Sequence, residues 1–435
     1  MCIPGLPGDV EQVQLYDDQG RPSGVTDRAR MRAENLTHAA TAVVVRDSYG
    51  RVFVHRRTDT KDLYPGRLDF AAGGVVAAGE DPHIAAVREL AEELGVTDVP
   101  LELVRITRYT DDHTDYWGHC FTTTYDGPVR LQPEEVAEGD WWTLDRLVAA
   151  LESAPADGPG SFMPDTAGLL ADWLRDRLAD RVPVRSQGWD SHAEIVEGTW
   201  LDRTARRPDV AQRLEVEVRL MPRLAPRLPL AVPVPMLLDT DPPRARHPLV
   251  PGGPADPQRL AVEDGERVGA FLRTLHDTPA TVWEDTGIAR DADRIGELDE
   301  MADRVVPMLP ADLRAAGRAL LARCREASYR SDLRHGDVGP EHLLVTDGRV
   351  SGLIDWTDVA IGDRALDLAW VVNGTPASFA EALISAYGAT RAELARGRDW
   401  HLLGPWWEVW YGLHDGGEEF VTSGLKGARD RLQQS

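Results

Sequence analysis

Residues 74–96 read GVVAAGEDPHIAAVRELAEELGV, and this stretch decides the fold of the first third of the chain. Asp81-Pro82 marks a helix entry. An Asp side chain can accept from the open N–H groups of a first turn, and Pro at the first helical position gives up no hydrogen bond. Gly95 marks the exit, because glycine takes the left-handed conformation that closes a helix. Between them Val87, Leu90 and Leu94 fall at i, i+3 and i+7 and predict an apolar stripe facing the core. Glu89, Glu92 and Glu93 fall at i, i+3 and i+4 and share another face. Like charges so placed each cost a few tenths of a kcal/mol. A bound divalent cation offsets that cost, and Mg2+ or Mn2+ prefers carboxylate oxygen and suits phosphate substrates. An ordinary solvated acidic face would carry the same three glutamates, so the helix by itself leaves both readings open.

The spacing around the helix carries more information. Gly74, five residues, Glu80, seven residues, Arg88-Glu89-Leu90, one residue, Glu92-Glu93, one residue and Gly95-Val96 match the Nudix box at every defined position. The region therefore resembles a Nudix hydrolase domain. That resemblance implies an α/β/α sandwich. It implies that Glu89, Glu92 and Glu93 hold the metal, with Glu92 and Glu93 at the catalytic centre, and that Gly74, Glu80 and Arg88 support the loop and helix. It also implies hydrolysis of a nucleoside or other diphosphate, with water as the nucleophile activated by the metal. Glu134, Glu135 and Glu138, in a later acidic stretch, are candidates for a general base; surface acid is the other reading. Upstream, HRRTDTKDLYPGRLDF (residues 55–70) resembles the isopentenyl-diphosphate-isomerase-like branch. True isomerases place a cysteine just before the box. Here Ala71, Ala72 and Gly73 fill that stretch and Cys120 is distant in sequence, so hydrolysis is expected and isomerisation is not. Arg56, Arg57 and Lys61 are candidates to hold a substrate diphosphate, or are solvated charges at a strand end.

A second constellation lies at residues 335–356, HGDVGPEHLLVTDGRVSGLIDW. Leu343 to Val345 and Val350 to Ile354 are strand-like, and Asp347-Gly348 between them signals a type I′ hairpin. Folding that hairpin sets His342, entering the first strand, beside Asp355, leaving the second. Asp337 lies five residues upstream on the loop feeding the same end. Two acids and an imidazole suit phosphoryl transfer, which needs an orienter for the attacking hydroxyl and ligands for Mg2+. A polar turn with incidental acids is the bland alternative. His335-Gly336-Asp337, four residues, His342 and Leu353-Ile354-Asp355-Trp356 resemble the aminoglycoside and macrolide phosphotransferases, which have a two-lobed, α+β protein-kinase-like fold. The resemblance implies Asp337 as the catalytic Asp and His342 and Asp355 as metal ligands, with ATP or GTP as phosphate donor. Asp363 and Asp367 continue the pattern as structural residues. Ser186 to Ser191 (SQGWDS) resembles the family's nucleotide loop. Arg203, after Trp200-Leu201-Asp202, takes the place of the usual ATP-phosphate lysine, and Glu217 on the following helix is its expected ion-pair partner. Asp202 and Thr204 stand where that strand is usually apolar. His276 reads as structural, and His192 and His247 carry no signal. Trp406, Trp407, Trp410 and Tyr411 read as core packing, or as part of a substrate cleft.

Composition bounds these readings. At ~150 residues per domain, 435 residues predict two or three domains. With 42% apolar residues and 13 Trp there is ample core, and a net charge of −24 argues against nucleic-acid binding. Only two lysines occur, Lys61 and Lys426, and neither lies where a kinase would place its phosphate lysine. Cys2, Cys120 and Cys324 are scattered, which predicts a reducing, cytoplasmic setting. No signal peptide or membrane helix is expected. In the first part, Ala42–Val45 and Val52–His55 are expected as strands and Thr166–Leu178 as a helix. In the second, Ala193–Val196 and Thr199–Leu201 are expected as strands and Val210–Leu224 as a helix. The pattern breaks near residue 182. The expectation is a bifunctional enzyme, a Nudix hydrolase domain over residues 1–182 and an aminoglycoside-phosphotransferase-like kinase over 183–435. The kinase would act on a hydroxyl of a small molecule, a macrolide or aminoglycoside being the class suggested. The alternative is that one domain has lapsed and serves as a ligand-binding regulator of the other.

Overall fold

A computed structural model describes residues 11–61, 63–184, 191–290 and 292–433. The chain divides into two compact units, Met1–Val182 with Val196–Gly198, and Pro183–Ile195 with Thr199–Ser435.

The first unit is organised by the strand His38–Arg46, the run HAATAVVVR. It pairs in parallel with Asp115–Thr124 over its whole length and antiparallel with Val52–Arg57. Asp115–Thr124 pairs onward with Glu102–Thr110, and Val52–Arg57 with Val136–Trp142 and Leu68–Asp69. Successive side chains of a strand point to opposite faces. Val43, Val45 and Phe53 accordingly pack with Ala86, Leu90 and Leu94 of the helix Pro82–Leu94. Val44, Val52 and Val54 pack the other way, with Leu147 and Val148 of the helix Leu144–Ser153 and Leu169, Leu170 and Leu174 of the helix Pro164–Ala179. A sheet buried on both faces explains the near-continuous apolar run in its central strand, and the result is the expected α/β/α sandwich.

One detail differs from the expected stripe. Val87 is 39% exposed, and the buried face of its helix runs through Ala86, Leu90, Glu93 and Leu94. Hydrophobicity pointed to Val87, but the small Ala85 and Ala86 let the helix lie close to the sheet, and Glu93 is carried inward with them.

In the second unit, Ser191–Val196, Trp200–Ala205, Pro243–Pro248 and Met236–Thr240 lie side by side in that order within a five-stranded sheet. The helix Pro208–Leu224 packs against the middle of it. The remainder is mainly helical, with Val262–His276 against Ala377–Tyr387 and Arg391–Tyr411 against Glu418–Leu432. The hairpin Leu343–Thr346 and Arg349–Leu353 turns through Asp347 and Gly348, both at positive φ (52° and 74°), as a type I′ turn requires. Trp406 is fully buried in the core of the C-terminal helices, with Trp407 and Trp410 packed against it. Trp410 Nε1 donates to Glu300 Oε2 at 2.8 Å. No helix among the described residues is long and apolar enough to cross a membrane.

Candidate active sites

In the first unit the carboxylates sort by burial. The helix starts as the sequence suggests: Asp81 accepts from His83 N at 2.8 Å, and Gly95 closes it at φ 63°. Glu92 is 52% exposed along its side chain and rests 3.3 Å from Arg88. Glu89 is mostly buried, and its carboxylate lies flat on Gly74: a Cβ at that position would sit 2.5 Å from Glu89 Cδ. That close approach is the physical reason for glycine there. Arg88 forms a fork with Glu80, with Nε to Oε1 and Nη2 to Oε2 both 3.1 Å, and reaches Glu89 at 2.6 Å. Glu80 also accepts from Ala77 N at 3.1 Å, so it ties the loop to the helix. Arg88 thereby supplies the positive charge that holds the acids of this face together.

Glu93 is buried. It accepts from Gly73 N at 3.2 Å and shares a hydrogen bond with Glu135. Burial pushes its carboxyl well up, and the charges of Glu135, Asp69 and Glu89 add to the shift. Glu135 is lowered despite its own burial, because Lys61 pairs with it at 2.6 Å. The two carboxyls are thus pushed apart, Glu93 toward its protonated form and Glu135 toward its ionised one. Of the three candidate bases only Glu135 reaches this group. Glu134 accepts from Thr58 through its carbonyl, and Glu138 pairs with Arg56 at 2.9 Å. Of the candidate diphosphate-binding cations, Lys61 lies at Glu135, and the charge of Arg57 is felt by both Glu135 and Asp69. Arg56 instead lines a cleft with Tyr64, Arg67 and His113 that none of these carboxylates enters. Asp69 went unseen in the sequence. It is buried, accepts from Phe70 N and Ala71 N, and burial pushes its carboxyl up to about 6. Cys120 lies in the core on the opposite face of the sheet, and burial pushes its thiol up to about 12.

In the second unit the hairpin register joins the expected trio. Leu343 faces Leu353, and Ile354 N donates to His342 O at 3.0 Å. His342 Nδ1 donates to the Asp337 carbonyl at 2.9 Å and lies 3.4 Å from its carboxylate. That bond fixes the tautomer and turns Nε2 toward Asp355 Oδ2, 3.7 Å away. Burial lowers His342, but Asp337 and Asp355 outweigh it and the imidazole is raised. Loss of hydration pushes Asp337 up to about 6, helped by Asp358 and Asp355 and opposed by His342. Asp355 sits at φ 62°, a region L side chains rarely adopt, so its backbone is held under strain. Burial acts to raise its carboxyl, but Arg203, His342 and Thr357 hold it well below the usual range.

The loop bearing Asp337 is anchored from behind. Asp367, fully buried, accepts from His335 N at 2.7 Å and Gly336 N at 2.8 Å. It also accepts from His276 Nε2 at 3.0 Å, and His276 Nδ1 in turn accepts from Tyr387 at 2.8 Å. Asp363 plays a comparable part further out, bound by Arg396 and by Trp400 at 3.0 Å.

Arg203 is buried and points at the trio. Its Nη1 lies 3.3 Å from Asp355 Oδ1 and 3.8 Å from Glu217, and its Nε donates to Ser191 Oγ at 3.2 Å. Ser186 lies outside the described residues. Glu217 is fully buried and accepts from His247 Nε2 at 3.1 Å, a partner with no signature in the sequence. The polar neighbour Asp202 is explained by register: Arg246 stands directly opposite and binds it through two hydrogen bonds of 2.6 and 2.8 Å.

Among the described residues no three His, Cys, Asp or Glu side chains form a ready cage for a metal ion. The donor chemistry nonetheless fits Mg2+, which is commonly held by one or two carboxylates together with substrate phosphates. Glu89 and Glu93 in one unit, and Asp355 in the other, present such oxygens, and His342 Nε2 lies beside Asp355.

Comparison with known proteins agrees with both descriptions. The NUDIX domain model matches residues 36–163, and that of the phosphotransferase enzyme family matches residues 181–400. An uncharacterised Nudix hydrolase, orf19 of Rhodococcus erythropolis, is 42% identical over 179 residues, 38% of this chain and 93% of that protein. The uncharacterised Nudix hydrolase YfcD of Escherichia coli K12 is 37% identical over 166 residues, 38% of this chain and 88% of its own. Among solved structures, the GDP and kanamycin complex of APH(2″)-IIia superposes with a TM-score of 0.53 at 18% identity, covering 60% of this chain and 97% of that one. The GDP complex of wild-type aminoglycoside 2′-phosphotransferase-IIIa gives 0.50 at 20% identity, covering 57% and 91%. These likenesses establish the kinase-like fold of the second unit. The chain thus belongs to the Nudix hydrolases through its N-terminal region and to the phosphotransferase enzyme family through its C-terminal region.

Proposed function

We propose that the chain is a bifunctional enzyme, a diphosphate hydrolase over residues 1–182 and a small-molecule kinase over residues 183–435. The observation that carries the kinase reading is the convergence of Asp337, His342 and Asp355, with Arg203 paired to Asp355. Asp337 accepts a hydrogen bond from the hydroxyl of the acceptor and takes its proton as the new O–P bond forms and the bond from the γ-phosphorus to the bridging oxygen breaks, releasing ADP or GDP. Asp355 and His342 would hold Mg2+, which when bound neutralises charge on the phosphates of ATP or GTP. Arg203 supplies a fixed positive charge for the same phosphates, in the role a lysine usually has; its planar, always charged head can pair with two oxygens. A macrolide or aminoglycoside hydroxyl is the acceptor class we favour from the motif resemblance, and a solved structure sharing this fold holds the aminoglycoside kanamycin.

In the hydrolase, Glu89, Glu92 and Glu93 would hold Mg2+ or Mn2+. Glu135, kept ionised by Lys61, takes the proton of the attacking water. Arg57 and Lys61 bind the diphosphate of a nucleoside or other substrate. The cysteine needed for isomerisation is missing beside the box, and Cys120 is sealed in the core. The two free buried thiols, Cys120 and Cys324, fit a cytoplasmic setting. Nothing favours a lapsed domain. Purified protein should release phosphate from diphosphate substrates only with Mg2+, and Glu92→Gln or Glu93→Gln should abolish it. Unchanged turnover in both variants would remove these residues from the reaction.

A further inference from the structure

Between Arg203 and Asp355 stands a residue to which neither motif gives a part. Thr357 is buried, and its hydroxyl accepts from Arg203 Nη2 at 2.6 Å while donating to Asp355 Oδ1 at 2.8 Å. The direction is forced. A carboxylate can only accept and a guanidinium can only donate, so the single hydroxyl proton must go to Asp355 and a lone pair must face Arg203. Arg203 Nη1 reaches the same Oδ1 at 3.3 Å. One oxygen of Asp355 is therefore engaged from two sides, and the other, Oδ2, is the one turned to His342 Nε2. The φ of 62° at Asp355 gives this lock something to do, because a strained backbone keeps one orientation only when its surroundings hold it.

We propose that Thr357 is a positioning residue for phosphotransfer: it selects which Asp355 oxygen is offered to the metal–nucleotide and keeps Arg203 and Asp355 acting as one unit. The inference rests on the kinase reading above. It predicts a polar requirement at position 357 for the hydroxyl alone, not for the methyl. Thr357→Val keeps shape and removes both hydrogen bonds, whereas Thr357→Ser keeps them.

The test compares binding of Mn2+·ADP and of metal-free ADP to the full-length wild type, Thr357→Val and Thr357→Ser by calorimetry, with thermal unfolding measured alongside. Thr357→Val should weaken Mn2+·ADP by roughly tenfold, the scale of one hydrogen bond to a charged group, and should change metal-free ADP much less. Thr357→Ser should stay within about twofold of wild type. In turnover with a phosphoacceptor, Val should raise the Mg2+ requirement and Ser should not. Equal Mn2+·ADP affinity in wild type and Val overturns the inference, as does a loss in Ser as large as in Val. A Val variant that only melts earlier assigns Thr357 to stability and also overturns it. If wild type binds no Mn2+·ADP at all, the kinase reading itself falls, and the inference with it.

Discussion

Asp367→Asn is the most informative single change outside the reacting groups. Asp367 is fully buried and accepts three hydrogen bonds, from His335 N, Gly336 N and His276 Nε2. Asn keeps one acceptor oxygen and replaces the other by an NH2 group. Whichever way the amide turns, a donor then faces a donor. Burial acts to raise this carboxyl, but the hydrogen bond from His276, with the loop N–H groups, pulls it down to about 2 from an ordinary 3.8. At about 1.4 kcal/mol per unit, that depression corresponds to about 2 kcal/mol of stability. The sign follows from the direction. A carboxyl lowered in the folded state stabilises at pH above its unfolded value, and the contribution fades as pH falls through about 4 to about 2. Urea unfolding of the full chain, followed by a probe in the kinase unit, should show Asp367→Asn less stable by about 2 kcal/mol near neutral pH, with the gap roughly halved by about pH 3. Because His335 and Gly336 carry the loop into Asp337, phosphotransfer should fall as well, in kcat more than in KM. A variant as stable as wild type near neutral pH, or a gap that does not shrink in acid, would refute the anchoring argument.

Two predictions concern the hydrolase. Gly74→Ala brings a methyl against the Glu89 carboxylate, the end of a flexible side chain, so the fold should survive while Glu89 is displaced; hydrolysis should drop by roughly a hundredfold with little change in melting temperature. Glu93→Gln should raise stability by about 1 kcal/mol even as it abolishes turnover, because a neutral amide escapes the burial penalty that raises this carboxyl in the folded state. An acid raised in the folded state loses stability as pH rises, so the gain should grow from pH 5 to pH 8 in unfolding experiments.

How much was legible depended on range along the chain. The hairpin at Asp347-Gly348 and the helix from Asp81 to Gly95 are local, and spacing alone located them; the supporting part of Glu80 and Arg88 came from the resemblance to the Nudix box, and the link between them is equally local. The apolar stripe was misread at Val87 because side-chain hydrophobicity outweighed the close fit that Ala85 and Ala86 allow. Glu135 was one of three equal candidates until the fold brought it to Glu93, some 40 residues away in sequence. Asp69, His247 and Thr357 left no signal, because each acquires its part only through a partner on another strand or helix. Asp202 looked out of place in its strand because Arg246, which completes it, lies on the neighbouring strand.

The most direct measurement is a panel of antibiotics and metabolites incubated with the full chain, ATP or GTP and Mg2+, read by mass spectrometry for gain of one phosphate. The account predicts that at least one hydroxyl-bearing compound gains phosphate with wild type and that none does with Asp337→Asn. Phosphate gain that persists undiminished in Asp337→Asn would contradict it.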